Sequence, residues 1–432
     1  MQPQNPFSYG KALSPNHFIG RSKEINRIVS RLLNGESTAL IGDPHIGKTS
    51  LLTYLVHPET RHSLYEGKAA QWYFSMMDMQ IIGGQLTPAQ FWEQALSPIR
   101  ESLDKEPPDS LLLKHYALCK EKKFDNNSLG YLFSLLKKIG RKFVLALDEF
   151  DTLLHHPIMN SAEFFGGLRS LASLSDYALA VLFASRTTII QLNSLTQKDN
   201  PFGSPFFNHF HPINMGSLTD KEVEKMFSLA DNRFKDHEKY AIRTLAGKHP
   251  YLLQATCAAL WDAYEEDEVN RQPYVVERLQ EVNFFFTDTW RSWTPKIRKA
   301  FTIAAIAHQE RLLKNAGFFG DNLMTSIQDW KLELKELEGK SWIEKDEQYK
   351  GGYKISSDIM LAWLSDELIK ATRSEKPFEN WLQEIGIDGV KISVDEKKAF
   401  IEAVKKAAGV IKQAKEPIKD VFDLVKGLFG AS

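Results

Sequence analysis

The sequence predicts an α/β core built on a parallel sheet, followed by a helical bundle, a winged helix and a helical tail. Three observations carry this. Apolar runs alternate with helical patterns through the first 216 residues, the signature of a doubly wound sheet. A glycine-rich loop over residues 42–50 stands between one such run and a helix. From Ser217 onward helical patterns replace strands, until a short hairpin signal around Gly351-Gly352.

In chain order, the first seventeen residues, rich in Pro, Asn and Gln, read as an extended arm. Ile25, Ile28, Val29 and Leu32 then recur on one helical face. Residues 37–41 read as a buried strand and residues 51–55 as the first turns of a helix. Residues 70–76 are expected as the second strand, followed by a long helical stretch with Phe91, Trp92, Ala95 and Leu96. Lys105-Glu106-Pro107-Pro108 marks a loop, and helix returns over residues 129–139. The run from Lys142 to Glu149 is unbroken apolar over residues 143–147, as in the centre of a parallel sheet, and ends in Asp148-Glu149. The next such run, residues 178–185, ends in Ser185-Arg186. Thr219 caps a helix start, and residues 217–285 fit a small helical bundle. Helices and then Trp342-Ile343-Glu344-Lys345 and Tyr353-Lys354-Ile355, flanking Gly351-Gly352, give the winged helix of residues 286–373. Residues 374–432 form a separate tail, so four segments are expected: 1–216, 217–285, 286–373 and 374–432.

Composition narrows the class. A chain of 432 residues with 43% hydrophobic and 25% charged residues is ordinary for a globular protein of about three domains. A net charge of −1 provides no global field toward nucleic acid or a membrane. Cys119 and Cys257 are the only cysteines, too few for a disulfide framework or a zinc motif, which suits a reducing cytoplasm. The N-terminus does not read as a signal peptide. No apolar run approaches the roughly 20 residues that a membrane helix needs.

The chemistry is concentrated in Gly42-Asp43-Pro44-His45-Ile46-Gly47-Lys48-Thr49-Ser50, a complete P-loop of the form G-x-x-x-x-G-K-[ST]. Gly42 and Gly47 let the backbone turn so that several N–H groups face one point, and the helix N-terminus adds positive charge there. A polyphosphate is the natural occupant, and ATP or ADP with Mg²⁺ is the expected ligand. Lys48 is expected to reach the β- and γ-phosphates and Thr49 to give its hydroxyl to Mg²⁺. Asp148 is expected to hold Mg²⁺ through water and Glu149 to polarise the attacking water. The competing reading of that pair, a solvated strand end, weakens beside a P-loop. The P-loop, Asp148-Glu149 and Ser185-Arg186 all fall at carboxyl ends of strands, where such sheets bind ligands. Arg186 is expected to touch the γ-phosphate, with a surface ion pair as its competing reading. Arg169 reads as a helix-surface arginine more readily than as a finger onto a neighbour, and Asp151 as structural or surface. His155, His156, His209 and His211 lack metal-ligand spacing and read as structural.

In their order, these pieces resemble the STAND class of AAA+-related P-loop ATPases, relatives of the NB-ARC and NACHT switch proteins, and above all its bacterial and archaeal branches. The carrying residues are Phe18-Ile19-Gly20-Arg21-Ser22-Lys23-Glu24, the P-loop, Leu147-Asp148-Glu149-Phe150-Asp151, Ala184-Ser185-Arg186 and Gly247-Lys248-His249-Pro250-Tyr251-Leu252-Leu253-Gln254. The likeness covers roughly residues 5–370. It implies that Phe18, Ile19, Gly20 and Arg21 lie against the adenine and that Pro250 closes the other side of the base. It also implies a winged helix that folds back on the nucleotide in the ADP state, with ATP exchange permitting oligomerisation. NB-ARC proteins contact phosphate through a Met-His-Asp triplet; here Ser356-Ser357-Asp358 takes the comparable place, which departs from the pattern.

The resulting expectation is a slow, regulatory ATPase that switches between ATP and ADP forms. It would assemble with itself and couple to an effector or sensor protein, as in defence against phage or regulated cell death. The alternative is a DNA-binding AAA+ ATPase resembling replication initiators, although residues 330–338 mix charges where a DNA reader should be basic. A metabolic kinase fits poorly. In the tail, Phe400, Ile401, Val404, Ala408 and Ile411 line one helical face, and Ile418, Val421, Phe422, Val425 and Phe429 line another. Packing onto the body and docking of a partner are level readings of that tail; a membrane surface comes behind them.

Overall fold

The computed structural model describes residues 4–197, 203–308, 330–349 and 351–371. The tail faces beyond residue 374 lie outside them. The chain divides into two compact units. Among the described residues, one comprises those of Ala12–Gly42 and Gly47–Met215; the other comprises those up to Lys11, Asp43–Ile46 and those from Gly216 onward.

The first unit is a five-stranded sheet of β1 (Thr38–Ile41), β2 (Tyr73–Asp78), β3 (Phe143–Asp148), β4 (Leu179–Ser185) and β5 (His211–Asn214). The order is β2-β3-β4-β1-β5, and every pairing is parallel. The chain leaves β1, crosses to the far edge as β2 and returns through β3 and β4 to the side of β1. β1, β3 and β4 are buried along their whole length, so both faces are covered, as the unbroken apolar runs require. Phe143, Leu145 and Leu147 of β3 and Leu179, Val181 and Phe183 of β4 enter a core that also holds Phe91, Phe133, Phe150, Phe165 and Phe207.

Three details differ from the sequence reading. β2 starts at Tyr73, because Gly67 at φ 72° opens a 3₁₀ turn over Lys68–Gln71. The long helical stretch is two short helices, Pro88–Ala95 and Ser97–Ser102, broken where Pro98 takes a first-turn position. A further helix, Leu111–Glu121, and the strand β5 carried no signal strong enough to be read. Pro212 gives β5 no backbone donor at that position, and β5 accordingly sits at the sheet edge, paired with β1 alone.

The second unit is helical. Thr219 and Glu222 form a reciprocal capping box at the start of Asp220–Phe227. Asp236–Ala246 and the deeply buried Pro250–Glu265 follow, then Arg271–Gln280 and Asn283–Ser292. Of the segment expected as a winged helix, the described residues comprise Pro295–His308, Lys331–Gly339, an antiparallel hairpin of β6 (Ile343–Lys345) and β7 (Tyr353–Ile355), and Asp358–Ala371. The N-terminal arm, expected to head the α/β domain, packs in this unit instead. Phe7 stacks on Phe234 at 5.6 Å, and Asn5 Nδ2 donates to Asp262 Oδ1 at 2.7 Å.

After β7 the chain meets the turn that ends Asp236–Ala246. Ser357 Oγ donates to the Leu245 carbonyl at 2.8 Å. Gly247, at φ 60°, lies so close that a Cβ there would stand 2.5 Å from the Ser356 carbonyl oxygen. Burial pushes the next carboxyl, Asp358, up from 3.8 to about 6, with Lys354 pulling the other way. A folded pKa above the unfolded one means that the folded state holds the proton more tightly. The stabilising contribution is therefore complete below the unfolded value of 3.8 and is lost as pH rises through about 6. Asp358→Asn is expected to raise unfolding stability at pH 7.5 by an amount on the order of 1 kcal/mol. That gain should shrink as the pH is lowered to about 5 in urea titrations; a gain independent of pH would contradict this account.

Candidate functional site

The carboxyl end of the sheet assembles the candidate site in the first unit. Ile41, the last residue of β1, is in register with Ser185, the last residue of β4. The Gly42 N–H extends the ladder to the Ser185 carbonyl at 3.2 Å. Gly47 takes φ 94°, which glycine adopts without strain, and caps the helix Lys48–Val56. Lys48 is 5% exposed, and its Nζ donates to the Gly42 carbonyl at 2.9 Å. Beside it the Thr49 side chain is hydrogen-bonded to Asp148, at the tip of β3. Asp148 also accepts from the Glu149 N–H at 3.0 Å. Burial dominates Asp148 and holds its carboxyl above the ordinary range, against the hydrogen bonds from Thr49 and the Glu149 N–H and the charge of Lys48.

Glu149 follows at φ 47°, ψ 45°, in the left-handed region that a β-carbon disfavours. Its carboxylate meets the Arg186 guanidinium, with Nε 3.3 Å from Oε2. The Arg186 N–H donates to Asp151 Oδ1 at 3.2 Å, so Asp151 braces the end of β4. Arg169, on the helix Ala162–Ser173, donates to the Ser204 carbonyl at 2.9 Å.

The remaining predicted residues divide between the units. Phe18 stacks on Tyr54 of the P-loop helix at 4.7 Å. Ile19 and Gly20 are half-buried, and Arg21 is buried at φ 61°, 3.5 Å from Glu24. Ser50 Oγ accepts from the Leu13 N–H at 3.1 Å. All of these belong to the first unit. Asp43, Pro44, His45 and Ile46 belong to the second, as does Pro250, the first residue of Pro250–Glu265. There Asp43 meets Lys340, Trp342 and Trp293, and the His45 ring lies 4.8 Å from that of Tyr251. The sequence reading missed Lys340, Trp342 and Trp293. No local signal marks them, since the nearest of the three follows Asp43 by 250 positions.

Among the histidines, His156 Nε2 meets the Gly83 carbonyl at 3.1 Å and its Nδ1 accepts from the Met159 N–H at 3.0 Å. His211 meets Arg27. Among the described residues no group of three or more His, Cys, Asp or Glu is placed to hold a metal ion by itself.

Mg²⁺ with a nucleoside polyphosphate, the group that the motif implies, fits the residues present. A buried ammonium stands at a helix N-terminus. Next to it a hydroxyl and a carboxylate, the hard oxygen donors that Mg²⁺ prefers, are joined by a hydrogen bond.

A parallel sheet that delivers a P-loop and an acidic strand tip to one edge defines the P-loop, AAA+-like class. Residues 12–293, well over half of the chain, match the AAA-like domain family, and the protein belongs to that family. Among solved structures, it is similar to the Walker-type ATPase PABY2304 of Pyrococcus abyssi, with 14% identity over 83% of this chain and 99% of that one and a TM-score of 0.50. It is also similar to the ORC2 protein of Aeropyrum pernix in its ADPNP–ADP complexes, with 14% identity over 84% and 97% and a TM-score of 0.46. A single-site variant of RuvB from Thermotoga maritima covers 88% and 98% at 13% identity and a TM-score of 0.36. At these identities the likeness is one of fold, and it rests on the first of the three. No curated protein matches the chain. No helix among the described residues is long and apolar enough to cross a membrane.

Proposed function

We propose that this protein is a nucleotide switch that binds ATP and ADP with Mg²⁺, hydrolyses ATP slowly and uses the difference to control its own assembly. The observation that carries this reading is the buried Lys48 beside the hydrogen-bonded Thr49 and Asp148 at the carboxyl edge of the sheet. Lys48 would pair with phosphate, Thr49 and Asp148 would hold Mg²⁺, and Glu149 would orient and deprotonate the attacking water. The metal's contribution when bound is to neutralise charge on the phosphates. Arg186 spends the resting state on Glu149 as a partly exposed pair. Such pairs contribute only about 0–1 kcal/mol, so Arg186 can exchange the carboxylate for a γ-phosphate at little cost and free Glu149 for water.

Within that reading the chain is a STAND-type signalling ATPase. Phe18, Ile19, Gly20 and Arg21 of the first unit line the base, residues 286–373 make up a winged helix, and output passes to an effector or sensor protein in defence or regulated cell death. The test is sizing of the full chain with Mg·ADP and with Mg and a non-hydrolysable ATP analogue. A larger species is expected with the analogue alone; the same profile in both would count against a switch. The second reading, a DNA-binding ATPase, draws on Lys331–Gly339 followed directly by the β6–β7 hairpin. That helix carries Lys331, Glu333, Lys335, Glu336 and Glu338, a balance unsuited to a phosphate backbone. Duplex binding that weakens steeply with salt would favour it.

A further inference from the structure

Asp43 is the second residue of the P-loop, and nothing in phosphate binding calls for a carboxylate there. A negative charge in a loop that receives a polyphosphate is repulsive, and this one is also 6% exposed. Three donors from far along the chain compensate it, all within the second unit. Lys340 Nζ lies 2.9 Å from Oδ1. Trp342 Nε1 donates to Oδ2 at 2.8 Å, and Trp293 Nε1 donates to the same oxygen at 3.3 Å. Burial opposes the charge, yet Lys340 and these hydrogen bonds outweigh it and hold the carboxyl below the ordinary carboxylate range.

The donors are themselves braced. Lys340 pairs with Glu336 at 3.1 Å, one turn back on its own helix. The Trp342 ring stacks on His249 at 5.2 Å and meets Trp293 edge-on at 5.6 Å. His45, two residues beyond Asp43, joins the same aromatic group through Tyr251 at 4.8 Å and Phe285 at 5.6 Å. Two side chains of the Asp43–Ile46 segment are thus seated by the second unit, while the loop continues directly into Gly47 and Lys48.

We infer that Lys340, Trp342 and Trp293 are positioning residues for the P-loop: they neutralise Asp43 and fix residues 43–46 in the conformation that accepts phosphate. The inference rests on the nucleotide reading above and adds the means by which the helix Lys331–Gly339 and the hairpin after it set nucleotide affinity. Without Lys340, Asp43 loses its ion pair while it stays buried, and it must either keep its charge there at a cost or swing out and take the loop with it. In both cases phosphate meets a worse site.

Calorimetric titration of Mg·ADP into the full chain tests this. Lys340→Met is expected to weaken ADP binding by about tenfold or more. Trp342→Phe, which keeps a ring and removes the donor, is expected to weaken it by about threefold. Adding Asp43→Asn to Lys340→Met should recover most of the loss, because no charge then needs a partner; a merely structural role for Lys340 would show no such recovery. Wild-type affinity in Lys340→Met, or no recovery in the double variant, overturns the inference. Should Lys340→Met fail to fold, Trp342→Phe and the double variant decide it by the same criteria. A wild-type chain that takes up no ADP overturns the nucleotide reading itself, and this inference with it; wild-type binding that Lys48→Ala loses leaves that reading standing whatever Lys340 does.

Discussion

Lys48→Ala is expected to abolish measurable ADP and ATP binding, with affinity falling by at least about a hundredfold. The Nζ is buried and donates within the loop to the Gly42 carbonyl at 2.9 Å. Desolvating an ammonium is costly, and the charge of a polyphosphate offsets that cost. Saturating nucleotide should stabilise the wild type by mass action, by about 2.7 kcal/mol at a hundredfold excess over Kd. The variant should show no such shift in thermal unfolding. A cooperative unfolding transition retained by the ligand-free variant separates loss of binding from loss of fold. Retained binding in the alanine variant would move the nucleotide away from the P-loop.

Phe150→Ala should have the second largest effect. Phe150 is fully buried directly after Glu149 and stacks on Phe183 at 4.2 Å, with Phe207 edge-on at 5.7 Å. Truncating a buried phenylalanine costs about 3–5 kcal/mol, or roughly 10 °C in melting temperature for a unit of this size. The ring also anchors the backbone that aims Glu149, whereas the P-loop has its own support from β1. The variant, assayed well below its melting point, should therefore lose more in kcat for ATP hydrolysis than in nucleotide affinity. Equal losses in both would mean that Phe150 supports the whole edge of the sheet and not Glu149 in particular.

The site's first unit was largely legible in the sequence, for a physical reason. β1, β3 and β4 are buried on both faces, so they had to be unbroken apolar runs, and their polar tips stood out against them. β5 is an edge strand with His211, Pro212 and Asn214, and such strands need neither apolar continuity nor alternation. Helix Leu111–Glu121 buries only Leu112, Tyr116 and Cys119, a stripe too thin to read. Thr49, Asp148, Glu149 and Arg186 could be named as candidates because motif and strand end coincide, and the structure brings these four together. The clasp on Asp43 was not legible at all. It depends on tryptophans and a lysine some 250 to 299 positions later, each of which looks locally like an ordinary core or surface residue.

The twisted backbone at Glu149 has a wider consequence. A side chain in that conformation costs roughly 1–2 kcal/mol that a glycine would not. Folding alone would thus favour exchanging the very carboxylate assigned to the attacking water. Under the role proposed for Glu149, variants selected purely for heat resistance would drift toward proteins that still hold nucleotide but never turn it over.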